Sequence, residues 1–225
     1  ARTTSPPTSV APTASATPTL AEPRGTAVPD GFVPLSATFV SDRTGWVLGC
    51  VDSCFDGRGG YVVVRTHDAG RTWRALPAPP APLRTLVGLR FANLGDGFAY
   101  GDRIWATHDG GATWRAHATG GLQVVALEAA RGRAWSLVEE GAAGTVFASL
   151  FRTPVAGGQW SRVRGLHRTG GDVPQLVLQG AWQLLTTDGG SAAVHLLVGN
   201  GGSFLQRVLP CGPEPPYPGR GTLTP

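Results

Sequence analysis

The sequence predicts an all-β fold of repeated four-stranded antiparallel blades, and three observations carry the prediction. Gly and Pro are abundant, at 33 and 19 residues, which sets many turns between short strands, while seven Trp, eight Phe and 41% apolar residues supply a core. An eight-residue pattern recurs, with its tryptophans 41 residues apart. Ahead of each copy stands a small residue followed by an aromatic that opens a short apolar stretch. Four short strands in roughly 40 to 45 residues is β-propeller spacing, so about four blades are expected, as an incomplete or a small ring.

Taken in order, residues 1–30 are almost wholly Thr, Ser, Pro and Ala, too poor in large apolar groups to offset the entropy of ordering. They are predicted to be a disordered linker, stiff enough through proline to act as a spacer. Residues 31–209 are the propeller, with blades near 34–78, 84–118, 122–165 and 174–209. In each blade a first strand such as LSATFV leads to a second such as GWVLG, a third such as YVVVRT, a tight Asp-bearing turn and a fourth such as TWRAL. Residues 210–225 form a Pro-rich irregular segment. The chain as given lacks any Met, and propellers typically close with four to eight blades, so a piece of a larger ring is expected over a small closed one, with terminal blades that expose unpaired edges or apolar faces.

Two copies of the pattern are intact. Thr66-His67-Asp68-Ala69-Gly70-Arg71-Thr72-Trp73 and Thr107-His108-Asp109-Gly110-Gly111-Ala112-Thr113-Trp114 share Thr-His-Asp-x-Gly-x-Thr-Trp. A third, ending at Trp160, keeps Thr153 and Gly157 but has Val155 in place of the aspartate, and a fourth keeps only Gly201 and Phe204. The small-aromatic pairs are Gly45-Trp46, Gly97-Phe98, Ala134-Trp135 and Ala181-Trp182. Thr187-Asp188-Gly189-Gly190 follows Trp182 too closely to be a further copy and reads as the hairpin turn between second and third strands.

The two intact segments match the Asp-box, or BNR, signature, and the chain resembles the propellers of photosystem II stability and assembly factors, and those of the sialidase and sortilin types. The resemblance covers residues 34–209 loosely and 45–74 with 97–115 well. It implies a propeller and leaves function open, since such propellers include hydrolases, receptors and assembly factors.

The chemistry of the pattern points to structure. A short Asp carboxylate accepts hydrogen bonds from the turn that follows, Gly supplies backbone angles other residues resist, and Trp fills the gap between layers. Thr66, Asp68, Gly70, Trp73, Thr107, Asp109, Gly111 and Trp114 are therefore expected to hold turns. His67 and His108 have no Cys, Glu or third His nearby, so no metal site is expected. Cys50 and Cys54 begin a long hairpin loop, where a local disulfide and free thiols are both open, and Cys211 is left over.

Catalytic patterns are missing. Phe151-Arg152-Thr153-Pro154 is similar to the Phe-Arg-Ile-Pro motif of sialidases, yet it follows two boxes instead of preceding them, and Tyr61, Tyr100 and Tyr217 are poorly placed as nucleophiles. The carboxylates of Glu128, Glu139, Glu140 and Asp172 follow no pairing rule. No phosphate loop, nucleophile elbow or zinc-protease motif occurs, and no cofactor is expected. All nineteen basic residues are Arg, scattered along the chain with a net charge of +4, which argues against nucleic acid. No apolar run reaches the ~20 residues of a membrane-spanning helix. The expectation is an exported, extracytoplasmic, non-catalytic module that binds another protein or a cell-surface polymer, with Arg58, Arg103 and Arg164 as candidate contacts. A sialidase-like hydrolase or a carbohydrate-binding wall module is the alternative.

Overall fold

A computed structural model describes residues 25–52, 54, 59–119, 122–140, 146–168, 175–179, 181–187, 194–200 and 203–208. Blade one contains β1 (Phe32–Phe39), β2 (Gly45–Val51), β3 (Tyr61–Thr66) and β4 (Arg74–Leu76). Blade two contains β5 (Leu86–Phe91), β6 (Gly97–Gly101), β7 (Ile104–Thr107) and β8 (Arg115–His117). Blade three contains β9 (Gln123–Ala130), β10 (Arg133–Glu140), β11 (Val146–Pro154) and β12 (Ser161–Arg168). Blade four contains β13 (Gln175–Gln179), β14 (Ala181–Thr187), β15 (Val194–Asn200) and β16 (Ser203–Val208). Each blade is a four-stranded antiparallel meander whose strands pair in chain order. The fold is an all-β propeller of four-stranded blades.

First strands lie innermost, with β1 against β5, β5 against β9 and β9 against β13. No contact of that extent joins β13 to β1 among the described residues. On β1, Ser36 and Thr38 turn toward blade two, where their hydroxyls accept from the amides of Leu89 and Phe91 at 3.1 and 3.3 Å. Val33, Leu35 and Phe39 on the same strand remain exposed.

Interleaved apolar faces join the blades. Trp46 is fully buried, stacks on Phe91 at a centroid distance of 3.9 Å and donates its indole N–H to the Gly110 carbonyl at 3.0 Å. With Leu48, Val63 and Leu76 it meets Leu89, Phe91, Ala99 and Trp105 of blade two. The opposite face of blade two places Phe98, Tyr100 and Ile104 against Val124, Leu127 and Val138 of blade three. Glycine opens β2 and β6 for a steric reason: a Cβ on Gly45 or Gly97 would stand 2.5 Å from the ring of its cross-strand partner, Phe39 or Phe91. The first strand's terminal aromatic thus folds flat over a glycine, and the following aromatic enters the core.

Two boundaries differ from expectation. The linker predicted over residues 1–30 ends earlier, because Thr26 exchanges both backbone hydrogen bonds with Ala75 at 2.9 Å and extends the outer edge of blade one. Pairing satisfies the backbone groups of that edge strand even where the side chains offer little to bury. Blade three runs on to Arg168, beyond the predicted residue 165, because β12 stays paired with β11 up to Val146. Thr187 pairs with Val194, and the Asp188 segment predicted as a hairpin turn lies outside the described residues.

Candidate binding rim

Strand alternation sends the β2–β3, β6–β7 and β10–β11 hairpins to one rim, together with the links from β4 to β5 and from β8 to β9. The Thr-His-Asp turns, which lie between third and fourth strands, occupy the opposite rim. At those turns Thr66 donates its hydroxyl to Asp68 Oδ1 at 2.9 Å and accepts from the Gly70 amide at 2.9 Å. Thr107, Asp109 and Gly111 repeat the arrangement at 2.8 and 3.0 Å. Gly70 and Gly111 have φ of 84° and 97°, a region that suits glycine. Trp73 donates back to the Gly70 carbonyl, whereas Trp114 reaches across to the Pro77 carbonyl in the link from blade one.

In the third turn, Val155 is buried among apolar residues, and Thr153 Oγ1 is buried with no hydrogen-bond partner among the described residues. His108 Nδ1 lies 2.7 Å from Asp96 Oδ1, and His67 is exposed. Among the described residues no three potential ligands gather as a metal site.

On the hairpin rim, Cys50 and Cys54 are joined by a disulfide with their Cα atoms 5.5 Å apart, which closes the start of the β2–β3 loop. The adjacent link between blades one and two is held by proline and short hydrogen bonds. Thr85 donates its hydroxyl to the Pro82 carbonyl at 2.6 Å, and the Asp102 amide donates to the Thr85 carbonyl at 2.9 Å, fastening the link to the β6–β7 hairpin. Together Pro80, Ala81, Pro82, Thr85, Asp102, Arg103 and Trp105 line a pocket of about 230 Å³. The Arg103 guanidinium stands 5.9 Å from the centre of the Trp105 ring. The Trp105 indole N–H is buried without a hydrogen-bond partner among the described residues. Such a pocket combines apolar walls with an exposed cation, Arg103, beside an exposed carboxylate, Asp102.

Of the three candidate arginines, only Arg103 is placed in a pocket. Arg58 lies outside the described residues, as does Cys211, and the side chain of Arg164 is not described. Sequence reasoning passed over Trp105 and the prolines; the signal was a Pro-rich link facing an Arg-Ile-Trp strand start.

Of the groups weighed for hydrolysis, Tyr217 and Asp172 lie outside the described residues, and Arg152, Tyr61 and Glu128 have partners. Arg152 lies over the Trp135 ring at 5.8 Å, and the Tyr61 hydroxyl accepts from the Leu86 amide at 3.0 Å. Glu128 accepts from Arg90 Nε at 2.7 Å. Burial pushes the Tyr100 phenol up, opposed by the nearby Arg90 charge and reinforced by Glu128. For Arg90, burial acts to lower its pKa, and the hydrogen bond and charge of Glu128 outweigh it, so the value is raised.

No protein-family model matches the chain. No curated protein matches it either. Among solved structures it is similar to YCF48 from Cyanidioschyzon merolae, with 14% identity and a TM-score of 0.50 over 82% of this chain and 58% of that one. It is also similar to a YCF48 bound to D1 peptide, with 15% identity and a TM-score of 0.37 over 80% of this chain and 70% of that one. A third likeness is to the GH74 enzyme of Niastella koreensis, with 9% identity and a TM-score of 0.42 over 79% of this chain and 38% of that one. At these identities the likeness is one of fold.

Proposed function

We propose that this chain is an exported, non-catalytic binding scaffold that holds a polypeptide segment on its hairpin rim. The observation that carries the reading is the pocket in which Arg103 stands over Trp105 beside Pro80 and Pro82. Proline and tryptophan walls favour extended, apolar chain segments, and the exposed Arg103 and Asp102 side by side add a hydrogen-bond donor and an acceptor for a polar chain segment. The Cys50–Cys54 disulfide supports export, because such bonds persist in oxidising compartments. The D1 peptide is a ligand of YCF48, and the present reading rests on the pocket instead.

The test is selection of peptides from a displayed random library on the purified chain, followed by titration of the selected peptides. Binding should fall at least about tenfold in Arg103→Glu and stay within about twofold in Arg115→Glu, an exposed position on the opposite side of blade two's sheet. Equal binding by both variants would remove the rim from consideration. Turnover of glycoside substrates by the wild-type chain would replace the scaffold with a hydrolase.

A further inference from the structure

A second pocket lies between blades two and three, lined by Ile104, Ala118, Thr119, Ser136, Val138, Phe151 and Trp160, with a volume of about 130 Å³. We propose that it receives an aromatic ring bearing a hydroxyl, presented as a tyrosine side chain by the polypeptide of the preceding section, on whose reading this inference rests.

Register explains how the pocket is built. Ser136 and Val138 are two residues apart on β10 and so share a face, and Phe151 is the direct cross-strand partner of Ser136. That face looks toward blade two, since Val138 packs with Phe98 and Ile104, while Trp135 and Leu137, on either side of Ser136, point to the other side with Leu176 of blade four. Trp160 closes one wall, edge-on to Phe98 at 6.0 Å.

The lining selects among occupants. No charged side chain lines the pocket, so an ionised group would lose its hydration without compensation. The volume is close to the roughly 150 Å³ of an apolar cavity that admits benzene. Ser136 is fully buried, and its hydroxyl has no hydrogen-bond partner among the described residues. A buried hydroxyl left unpaired is costly, and one good partner removes the cost. A phenol satisfies both demands at once, with its ring against Phe151 and Trp160 and its hydroxyl meeting Ser136 once that fully buried side chain turns into the pocket. The Thr119–Asp102 hydrogen bond also joins this pocket to the one that holds Arg103, so a chain lying across the first pocket passes the mouth of the second.

Calorimetric titration of the full chain with phenol, benzene, N-acetyltyrosinamide and N-acetylphenylalaninamide tests the assignment. Phenol should bind roughly five- to tenfold more tightly than benzene, and the tyrosine amide should exceed the phenylalanine amide by a similar factor. Ser136→Ala, checked for an unchanged melting temperature, should erase both preferences while benzene still binds. Ala118→Trp, at an exposed position of the link, should block all four compounds. Equal affinity for phenol and benzene, or a phenol preference that survives in Ser136→Ala, would overturn the role of the hydroxyl. Binding of phenol without the tyrosine amide would overturn the tyrosine assignment in favour of a free phenol. If neither binds while Arg103-dependent peptides still do, this inference falls and the scaffold reading stands.

Discussion

Asp68 grips Thr72 with both carboxylate oxygens, accepting the backbone amide at 2.8 Å and the hydroxyl at 2.7 Å. The Thr72 amide, then its hydroxyl, hold the Asp68 carboxyl well below the usual range, at about 2, against a small opposing effect of burial. Since the folded value lies below the ordinary 3.8, the carboxylate stabilises the fold fully above that value, and the contribution is lost as pH falls toward 2. Acid titration of the melting temperature should show a decline in this window, and Asp68→Asn should lower the neutral-pH melting temperature and flatten the decline. An unaltered acid limb in Asp68→Asn would assign the decline to other carboxylates. Asp109 is the next to test, because burial raises its pKa but the hydroxyl and amide of Thr113, with Thr107, bring it down overall.

The intact and worn turns should respond oppositely to loss of the threonine hydroxyl. Thr66→Val removes a donor to Asp68 and leaves the Gly70 amide unpaired, which should cost about 1–3 kcal/mol. Thr153→Val removes a buried hydroxyl that has no partner among the described residues, so it should cost under about 0.5 kcal/mol or stabilise. Urea denaturation with unchanged slope would read the difference directly. Equal losses at the two sites would mean that Thr153 finds a partner in solution.

This contrast also explains what could be read from sequence. The Thr-Asp-Gly-Thr hydrogen bonds of the turns were legible because they span two to four residues and are written in one short stretch, whereas the bonds from Trp114 to Pro77 and from His108 to Asp96 were not. Trp46 was legible as a strand opener, but not its bond to Gly110, which is 64 residues away. The pockets were hidden for the same reason. Ser136 is an unremarkable serine until β11 and β7 bring Phe151 and Ile104 beside it, and Arg103 was one scattered arginine among nineteen until the proline link folded over Trp105.

Reduction of the Cys50–Cys54 bond should loosen the hairpin rim modestly. The bridge spans a sequence separation of only 4, and loop-closure arithmetic gives about 2 kcal/mol for so short a loop. Both cysteines are buried, so the paired Ser variants would add a desolvation cost, and reduction by dithiothreitol followed by chemical denaturation is the cleaner measurement. A loss well above this value would show that the loop supports blade one as a whole.

Arg90 and Glu128 join the inner strands of blades two and three, and their removal should be unequal. Arg90 Nε meets Glu128 Oε1 at 2.7 Å, while its Nη1 donates to the Leu89 carbonyl at 2.8 Å and to the Ser36 hydroxyl of blade one at 3.4 Å. Glu128→Ala leaves the guanidinium its two other acceptors, with about a quarter of its side chain in solvent, so the loss should be about 1 kcal/mol. Arg90→Ala removes all three bonds and part of the support for Ser36, whose hydroxyl also receives the Leu89 amide, so it should cost about 2–3 kcal/mol. A double-mutant cycle measured by denaturation isolates the pair itself, and raising the salt concentration should shrink only that coupling. If Glu128→Ala instead cost as much as Arg90→Ala, the link between blades two and three, and not the tie to blade one, would be what this arginine chiefly provides.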